Sequence, residues 1–392
     1  MINKYLDKQI ILCLALFGII SCLFIYSSNA SFSQYPGSFV IKQIIFYCIG
    51  FVLMIAIAML DLEQLKKIAW LFYIFVFLLL IGLIVAPESI AKPINGAKAW
   101  YKIKFIGTLQ PSEFLKFAFL LVIAKTMEKH QNSIAKQTLI SDSYLLAKIA
   151  AIVIPPMIIV YKQPDTGMLM LYLALIIPMI YFSTINKKLL LTFTAIPISI
   201  VVTLIILYFQ FHDFFMKHIM GQLSPHQIAR INGWLFPYEY EDSSLQARKG
   251  MLAIRSGEIT GKGFLNNDVY IPEKHTDFIF STIAEEVGFI GCTFVILLYF
   301  LFLFRLITII MKTNDSFAYT VGAGIIGLFT FQIFQNISMT MGILPITGVT
   351  LPFVSYGGSS LLSNFMLIGI ILSFKKTYHH YLFSSKEKEI DL

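Results

Sequence analysis

Apolar stretches long enough to cross a lipid bilayer recur along this sequence of 392 residues. A hydrocarbon core of about 30 Å requires a helix of about 20 mostly apolar residues. Because every backbone polar group inside lipid must be paired internally, such stretches predict helices. We count ten, at about 10–27, 40–60, 68–86, 111–127, 144–161, 165–182, 188–209, 278–304, 317–341 and 355–374. The sequence thus predicts an all-α polytopic integral membrane protein, a single transmembrane domain over residues 1–392, with one long extracellular loop (about 210–277) between spans 7 and 8.

The composition agrees with this class and excludes others. Hydrophobic residues make up 57% of the chain and charged residues 13%, whereas a soluble chain carries about 25% charged residues. The net charge of +8 is spread over short loops and not over a basic stretch interleaved with aromatic residues, so we expect no nucleic-acid partner. The four cysteines lie within apolar runs without CxxC or Cys/His spacing, which predicts neither a disulfide framework nor a metal site.

The distribution of Lys and Arg predicts the orientation of the chain. Short cytoplasmic loops of membrane proteins are enriched in these residues. With the N-terminus placed in the cytoplasm, the inside segments hold fifteen of them and the short outside loops hold six. Both termini of this multi-pass protein are therefore predicted to be cytoplasmic.

One outside segment, APESIAKPINGAKAWYKIKF, runs against this rule because it carries four lysines, Lys92, Lys98, Lys102 and Lys104. Either the predicted topology is shifted at this point, or these cations face a negatively charged partner outside the membrane. The choice between the two interpretations depends on the chemistry of the neighbouring segments.

The segment PEKHTDFIFSTIAEEVGF, residues 272–289, places six ionisable side chains next to an apolar span. Charges at bilayer depth cost roughly 2.5–3.5 kcal/mol each on insertion scales, so they usually face a cavity. If Thr276 caps the following helix, Asp277 lies in its first turn and Glu285 about 80° round the helix, so both can border one cavity. Desolvation and the charge of Glu285 or Glu286 would raise the pKa of Asp277, which suits a general base. The alternative is that Asp277 only caps the helix.

Three further polar segments interrupt the apolar stretches. QPSEFLKF places Glu113 and Lys116 on one helix face, where they could meet a substrate or simply neutralise each other. YKQPDTGM places Asp165 before the sixth span. QNISMTMGILPITGVTLPFVSYGGSS has almost no charge, which predicts a re-entrant or broken-helix element lining a cavity. No GxxxxGK[ST] phosphate loop occurs, so we expect no ATP chemistry. The HExxH motif of zinc sites does not occur either.

Six stretches together match one family in order and context: NGAKAW, QPSEFLK, KQPDTG, QARKGMLAIRSGEITGKGF, YIPEKHTDFIFSTIAEEVGFIG and GILPITGVTLPFVSYGGSS. The chain thereby resembles the SEDS family (shape, elongation, division and sporulation), the FtsW, RodA and SpoVE group of peptidoglycan polymerases. The direct spacing from GKGF to YIPEKHTDF and the lack of long cytoplasmic tails look more like RodA than FtsW. The likeness runs from about the third span to the tenth.

The resemblance implies a peptidoglycan glycosyltransferase at the outer face of the bacterial cytoplasmic membrane, serving cell elongation and shape or division. Such an enzyme moves the growing glycan from undecaprenyl diphosphate onto the GlcNAc 4-hydroxyl of an incoming lipid II. The family's essential aspartate falls on Asp277, and its tryptophan falls on Trp100. The charges of its PSEFLK motif fall on Glu113 and Lys116.

The diphosphate leaving group of this reaction requires nearby cations. The family often has a basic residue directly before the tryptophan, whereas this chain has Ala99 there and Lys98 one residue earlier. The candidate cations are Lys98, Lys102, Lys104, Lys116, Arg230 and Arg248. Asp165, His275 and Glu285 are expected beside the substrate, Glu285 by shaping the cavity rather than by reacting. No cofactor is expected to bind tightly, although a divalent cation, Mg²⁺ or Mn²⁺, could accompany the diphosphate.

The implied partners are lipid II, the undecaprenyl-diphosphate-linked glycan, membrane lipid and a class B penicillin-binding protein, a transpeptidase with a single span. Two other functions stay open. A flippase for lipid-linked precursors fits the intramembrane charges as well, but it needs a polar path through the midplane, whereas the charges here gather at the outside ends. A non-catalytic scaffold for a partner would leave Asp277 dispensable.

Overall fold

The computed structural model describes residues 6–30, 39–93, 97–103, 107–133, 138–222 and 225–387. This part of the chain is mostly helical. Its helices are α1 (Lys8–Ala30), α2 (Phe39–Ala58), α3 (Leu62–Val85), α4 (Pro111–Ser133), α5 (Leu139–Lys162), α6 (Thr166–Tyr181), α7 (Lys187–Gln210), α8 (His212–His218), α9 (Pro225–Leu235), α10 (Glu241–Ser256), α11 (Ile279–Ile310), α12 (Ser316–Thr340) and α13 (Gly358–Glu387). A short 3₁₀ turn covers Met220–Gln222, and β1 (Tyr101–Ile103) pairs with β2 (Gly107–Leu109) in an antiparallel hairpin.

The ten predicted apolar stretches all fall on helices, namely α1 to α7 and α11 to α13. Within the described residues, seven of these helices (α1, α2, α3, α5, α11, α12 and α13) are long and apolar enough to cross a membrane by themselves. Helix α6 is apolar but has only 16 residues, and α4 carries several charges. The chain is therefore a polytopic helical membrane protein, while the full count of ten crossings stays a prediction.

Helix α4 lies inside the bundle. Every side chain from residue 115 to residue 124 is buried, and the helix packs against α3, α12 and α13 as well as α5 and α6. A helix that is enclosed on all sides needs no amphipathic stripe, which explains why these residues, apart from Lys116, are apolar all round the helix. The position of α4 brings the charged side chains of the PSEFLK motif into the interior of the protein.

Small residues allow α2 and α13 to pack closely. A Cβ atom at Gly369 would lie 2.8 Å from the carbonyl oxygen of Met54, and one at Gly50 would lie 2.3 Å from the ring of Phe365. In membranes, where burial of apolar surface drives helix pairing only weakly, such close contacts stabilise helix pairs. This contact fixes α13, whose first turn borders the site described below.

Between α12 and α13 the backbone is non-helical from residue 341 to residue 357. Side chains of other helices supply hydrogen bonds that this backbone does not make with itself. Three amides on one face of α12, at positions 332, 335 and 336, donate to its carbonyls at 2.7–3.1 Å. Ser21 of α1, Gln43 of α2 and Tyr299 of α11 donate to further carbonyls between residues 352 and 355. This is the broken-helix element that the sequence predicted, and its backbone is paired by protein as membrane depth requires.

The segment at about 210–277, which the sequence predicted as one long loop between spans 7 and 8, contains the short helices α8, α9 and α10. Helix α10 packs on α9 and α11, and Gly250 comes so close to Phe278 that a Cβ atom would lie 2.8 Å from its ring. Trp234 of α9 donates its indole N–H to the carbonyl of Ile343 at 3.1 Å. Short helices of this kind gain their stability from tertiary packing, which the local sequence pattern does not report.

Helix α11 is interrupted at Gly288, whose φ of 63° lies in the left-handed region that favours glycine. The segment GEITGKG, residues 257–263, completes the hydrogen bonding around this interruption. The N–H groups of residues 262 and 263 donate to the carbonyls of 285 and 286 at 3.0 and 2.9 Å. Those of 289 and 290 donate to the carbonyls of 258 and 259 at 2.9 and 3.1 Å. Backbone pairing therefore ties the long segment to the span.

Candidate active site

A cavity of about 630 Å³ opens where the N-terminal ends of several helices meet. The first turns of α4 and α13, the start of α6, the turn before α11 and residues 346–350 of the broken segment form its wall. Phe46, Trp100, Arg230 and Gln246 also line it, together with residues of β2. A concave site with a few convergent polar groups is where ligands usually bind, so we take this cavity as the candidate active site.

Asp277 lies in the cavity wall, two residues before α11 begins at Ile279. The conditional prediction that Thr276 caps this helix was wrong, because the N-cap residue is Phe278 and it makes no side-chain capping bond. Thr276 instead donates its hydroxyl to the carboxylate of Asp277 at 3.0 Å. The side chain of Asp277 is half-buried and faces the cavity, so capping does not account for it.

The surroundings of Asp277 make it a weaker acid than a free aspartate. Burial raises the pKa of Asp277 to about 6, because the protein solvates the charged carboxylate poorly. The hydrogen bond from Thr276 and the positive charge of Arg230 oppose this shift, and the negative charge of Glu273 adds to it. The predicted direction is confirmed, but the contributing charge is that of Glu273 and not of Glu285. A pKa near 6 leaves the group ionised at neutral pH and well matched to accepting a proton.

Asp165 lies in the same wall, at the N-cap of α6. Its carboxylate accepts hydrogen bonds from the backbone N–H of Met168 at 3.1 Å and from Nε2 of Gln110 at 2.9 Å. Burial raises the pKa of Asp165 to about 6 although these two hydrogen bonds lower it, and the charge of Glu113 raises it further. The cavity therefore holds two carboxylates whose proton affinity is raised.

Arg230 of α9 is the cation that the described residues place in the cavity wall. Its positive charge lowers the pKa of both Asp165 and Asp277, so it lies within electrostatic reach of both carboxylates. The sequence prediction had named Arg230 among six candidate cations, and its position beside the two acids singles it out.

Glu113 borders the cavity, and Lys116 lies behind it, completely buried. The Nζ atom of Lys116 is 2.5 Å from Oε2 of Glu113. The sequence left two interpretations open, contact with a substrate and mutual neutralisation of the two charges. The structure is compatible with both, because Glu113 can contact a ligand while Lys116 balances its charge from inside. Removal of either partner would leave an uncompensated buried charge.

The lysine-rich segment lies beside the cavity, and of its predicted residues Trp100 reaches the wall. Lys98 donates to the carbonyls of Ala86 and Ile84, at 2.5 and 3.3 Å, and thereby satisfies the C-terminal end of α3. Lys102 is exposed on β1, and none of the three described lysines of the segment, Lys92, Lys98 and Lys102, lines the cavity. Lys104 lies outside the described residues.

Three other predicted substrate-binding residues, Arg248, His275 and Glu285, lie outside the wall. The guanidinium of Arg248 is placed over the ring of Tyr238, 5.7 Å from its centroid. The ring of His275 is buried and stacks on Phe39 with centroids 4.5 Å apart. Burial lowers the pKa of His275 to about 4, so this side chain is neutral near pH 7 and supplies no positive charge to a substrate.

Glu285 is the centre of a buried ion-pair network. Its carboxylate lies 2.9 Å from Nζ of Lys262 and 3.1 Å from Nζ of Lys274, and it accepts the N–H groups of residues 268 and 269 at 2.9 and 3.2 Å. The expectation that Asp277 and Glu285 border one cavity was wrong, because α11 begins after Asp277 and a helical projection from that residue does not apply. Glu285 instead holds the segment that leads to Asp277.

The first turn of α13 presents backbone donors to the cavity. Gly357, Gly358, Ser359 and Ser360 line the wall. The N–H groups of the last three have no acceptor among the described residues. The N-terminal end of a helix carries about half a positive charge, and its unpaired N–H groups bind anions. For the SYGGSS motif that contains this element, the sequence predicts only a broken helix lining a cavity, because backbone N–H groups leave no mark in the residue types.

Three glutamines of the wall, Gln110, Gln163 and Gln246, were also missed. Each lies within one of the stretches that carry the family resemblance, namely QPSEFLK, KQPDTG or QARKGMLAIRSGEITGKGF. The sequence predictions rest mainly on charged residues next to apolar spans. An uncharged amide cannot be recognised as a site residue until its surroundings in the structure are known.

Comparison with known proteins agrees with this architecture. The sequence model of the FtsW, RodA and SpoVE family, described as "Cell cycle protein", matches residues 7–380. Stage V sporulation protein E of Bacillus subtilis (strain 168) is 29% identical over 375 residues, 94% of this chain and 96% of that protein. The peptidoglycan glycosyltransferase RodA of Treponema pallidum (strain Nichols) is 28% identical over 433 residues, with the same two coverages of 94% and 96%.

A solved structure from a study of how a peptidoglycan synthase complex coordinates polymerization and crosslinking shares the fold. It matches with a TM-score of 0.74 and 23% identity, over 95% of this chain and 98% of that chain. The family match extends over nearly the whole sequence and includes every element of the cavity wall. The chain therefore belongs to the FtsW/RodA/SpoVE family.

Proposed function

We propose that this chain is a peptidoglycan glycosyltransferase that polymerises lipid II into glycan strands. The observation that carries the proposal is the carboxylate of Asp277, which faces the cavity with a pKa of about 6 and lies within reach of Arg230's charge. The relative from Treponema pallidum, which matches this chain over nearly its whole length, is named for the same activity.

Asp277 is the general base of the proposed reaction. The 4-hydroxyl oxygen of the incoming lipid II attacks C1 of the sugar at the reducing end of the growing glycan. The bond between C1 and the diphosphate oxygen breaks, undecaprenyl diphosphate leaves with the bonding electrons, and the hydroxyl proton passes to Asp277. The hydrogen bond from Thr276 orients the carboxylate, since Oδ1 is 3.0 Å from the threonine hydroxyl.

The diphosphate requires positive potential that the wall supplies in two ways. Four carboxylates line the cavity, those of Glu113, Asp165, Glu273 and Asp277, and one of them is paired with Lys116. Arg230 alone does not offset the remaining negative charge. The unpaired N–H groups at the start of α13 provide the second source, so we place the diphosphate between Arg230 and this helix end.

A divalent cation would fit this site only together with the diphosphate. The described residues hold no group of three or more His, Cys, Asp or Glu side chains suited to a metal ion. Mg²⁺ is usually bound by one or two carboxylates and by substrate phosphates, which matches a wall of separate carboxylates. Such an ion would neutralise charge on the leaving group.

The proposed setting is the outer face of the bacterial cytoplasmic membrane. We propose ten crossings with both termini in the cytoplasm, so that the cavity, the hairpin and α8 to α10 lie outside, where lipid II is used. The polyprenyl tails would lie between spans, in contact with lipid. A class B penicillin-binding protein is the proposed partner, because a structure with the same fold comes from a complex that couples polymerization with crosslinking. Within the family we propose the RodA role.

The flippase alternative is less well supported. The charged residues of the cavity gather at the N-terminal ends of α4, α6 and α11 and on α9, whereas a flippase needs a polar path that continues through the midplane. The ion pair of Glu113 and Lys116 closes the inner side of the cavity wall, and α4 is apolar and buried from residue 117 to residue 124.

The test is polymerisation of labelled lipid II by the purified protein, with and without the transpeptidase partner, read as glycan chains on a gel. We expect polymer from the wild-type protein and a loss of about 10²–10⁴ in rate for Asp277→Asn. The substitution keeps an oxygen for the Thr276 hydroxyl, so expression and membrane insertion should be unchanged. Polymer from the Asn variant at the wild-type rate would refute the role of Asp277, and polymer from neither would refute the function.

A further inference from the structure

We infer that Gln163 selects the substrate by hydrogen bonding to a secondary amide, the acetamido group at C2 of an amino sugar. The inference rests on the proposed function, because it concerns the sugar that enters the same cavity. Gln163 has no part in the general-base step described above. It would contribute to recognition through contact with the substrate, after a rotation of its side chain brings the buried amide to the surface of the cavity.

Gln163 lines the cavity, and its side-chain amide is buried without a hydrogen-bond partner among the described residues. The residue ends α5 as its C-cap, and its backbone N–H donates to the carbonyl of Val160 at 3.1 Å. The side chain is therefore not needed for capping. Only 7% of the residue is exposed, and neither Nε2 nor Oε1 has a hydrogen-bond partner among the described residues. Burial of an unpaired amide is unfavourable, so such a group calls for an explanation.

The other buried glutamines in the described part of the chain all donate hydrogen bonds through their side-chain amides. Gln43 donates to the hydroxyl of Ser21 at 2.9 Å and to a carbonyl at 3.2 Å. Gln332 and Gln335 donate to carbonyls of the broken segment at 3.0 and 3.1 Å. Each of these three amides therefore donates hydrogen bonds to another segment of the protein. Gln163 makes no such bond to a described residue, and it is the one of the four that lines the cavity.

The chemistry of the free amide indicates its ligand. Gln163 offers a donor and an acceptor in one plane, and a secondary amide offers the complementary N–H and C=O. The carboxylates of Asp165 and Asp277 can accept from sugar hydroxyls when ionised but cannot donate. The other side-chain amides of the described wall, those of Gln110 and Gln246, already donate to Asp165 at 2.9 Å and to the carbonyl of Pro272 at 3.1 Å. Of these amides, Gln163 is the one free to donate to a substrate carbonyl, while we place Arg230 and the N–H groups of α13 on the diphosphate.

Lipid II carries secondary amides both on its sugars and in its peptide stem, so the test must separate these sources. The probes are lipid II, an analogue with a 2-hydroxyl in place of the acetamido group, and an analogue without the stem. Wild-type protein and Gln163→Met are compared by kcat/KM. Methionine preserves the volume but removes both hydrogen-bonding atoms.

We expect Gln163→Met to lower kcat/KM for lipid II about tenfold and to lower the preference for the acetamido group over the hydroxyl by a similar factor. Gln163→Glu, which accepts but does not donate when ionised, should lose the same preference. Since the change concerns a ratio between two substrates, a mere reduction in folded protein does not produce it. Loss of preference for the stem instead would overturn the assignment to the sugar.

Gln43→Met is the matched control, because Gln43 is equally buried and does not line the cavity. It should lower thermal stability and leave the substrate preference unchanged. If the wild-type protein makes no polymer at all, the proposed function fails, and the same variants are compared by equilibrium binding of lipid II and the 2-hydroxyl analogue. An unchanged ratio of the two affinities in Gln163→Met would overturn the inference in either assay.

Discussion

The side-chain Nδ2 of Asn336 lies 2.8 Å from the backbone carbonyl oxygen of Asp277. The same amide lies 2.7 Å from the carbonyl of Val349, in the broken segment. One buried side chain of α12 therefore joins the backbone of the proposed general base to the broken segment of the cavity wall. Because the amide nitrogen has two N–H groups and each can serve one carbonyl, it fixes the distance between the two.

We expect Asn336→Leu to lower both thermal stability and polymerisation per folded molecule, the latter by tenfold or more. The substitution leaves two buried carbonyls unpaired, at a cost of about 1–3 kcal/mol each. Gln335→Leu is the matched control, since Gln335 is also buried on α12 and holds Pro345 but does not reach Asp277. Equal loss of specific activity in both variants would argue against a positioning role for Asn336.

The pH dependence of kcat/KM should report the ionisation of Asp277. With a pKa of about 6, the base form is lost as the pH falls, so the rate should rise about tenfold per pH unit below 6 and level off above it. Thr276→Val removes a hydrogen bond that lowers this pKa, and it should move the midpoint upward. A midpoint near 4 in the wild-type protein, or a downward movement in the variant, would contradict the assignment.

Arg230→Gln should weaken the use of lipid II more than Lys102→Gln does. We expect a loss of about 10–100-fold in kcat/KM for the arginine, since hydrogen bonds to charged groups contribute roughly 1.5–3 kcal/mol. The exposed Lys102 should change it less than twofold. Loss of the Arg230 charge should also raise the pKa of Asp277 and shift the pH profile upward. Equal losses in the two variants would instead support the original prediction that the lysine-rich segment faces the diphosphate.

Asp165→Asn should stabilise the protein at alkaline pH. The folded-state pKa of Asp165 is about 6, above the ordinary value of 3.8, so the folded protein binds this proton more tightly than the unfolded chain does. The stability that depends on this proton is present at low pH and is lost as the pH rises from about 4 to 6. Asparagine keeps the N-cap and carries no charge. The advantage of the variant, measured by thermal unfolding in detergent, should be larger at pH 8 than at pH 5 by on the order of 1–3 kcal/mol; the reverse order would be inconsistent with the raised pKa.

Single cysteines test the proposed topology in a background without the four native ones. Cysteines at Lys102 and Asp242, both exposed, should react with an impermeant thiol reagent added to intact cells, and one at the exposed Lys187 should not. Permeabilised cells, in which all three should react, provide the control. Labelling of the Lys187 position from outside would show that the ten-crossing orientation is wrong.

Much of the fold follows from the sequence because membrane insertion depends on local hydropathy. Every predicted apolar range falls on a helix, although α3 begins at Leu62 and α5 at Leu139, six and five residues before the predicted starts, and α13 begins at Gly358, three residues after. The family motifs likewise marked Asp277, Asp165 and Glu113, which the structure brings into one wall. Lipid imposes the same requirement on each segment separately, so length and composition of a segment suffice to recognise it.

Orientation of side chains was decided by tertiary contacts. The residue type and spacing of Lys98 suit a diphosphate as well as the carbonyls at the end of α3, and only the packed structure shows that it binds the carbonyls. Glu285 faces Lys262 and Lys274 because the segment 257–263 joins α11 around Gly288, a contact between distant parts of the chain. Gln163 carries no charge and could be recognised only by its burial without a partner. Hydropathy is a property of a segment, whereas the partner of a buried polar group depends on which other segments fold against it.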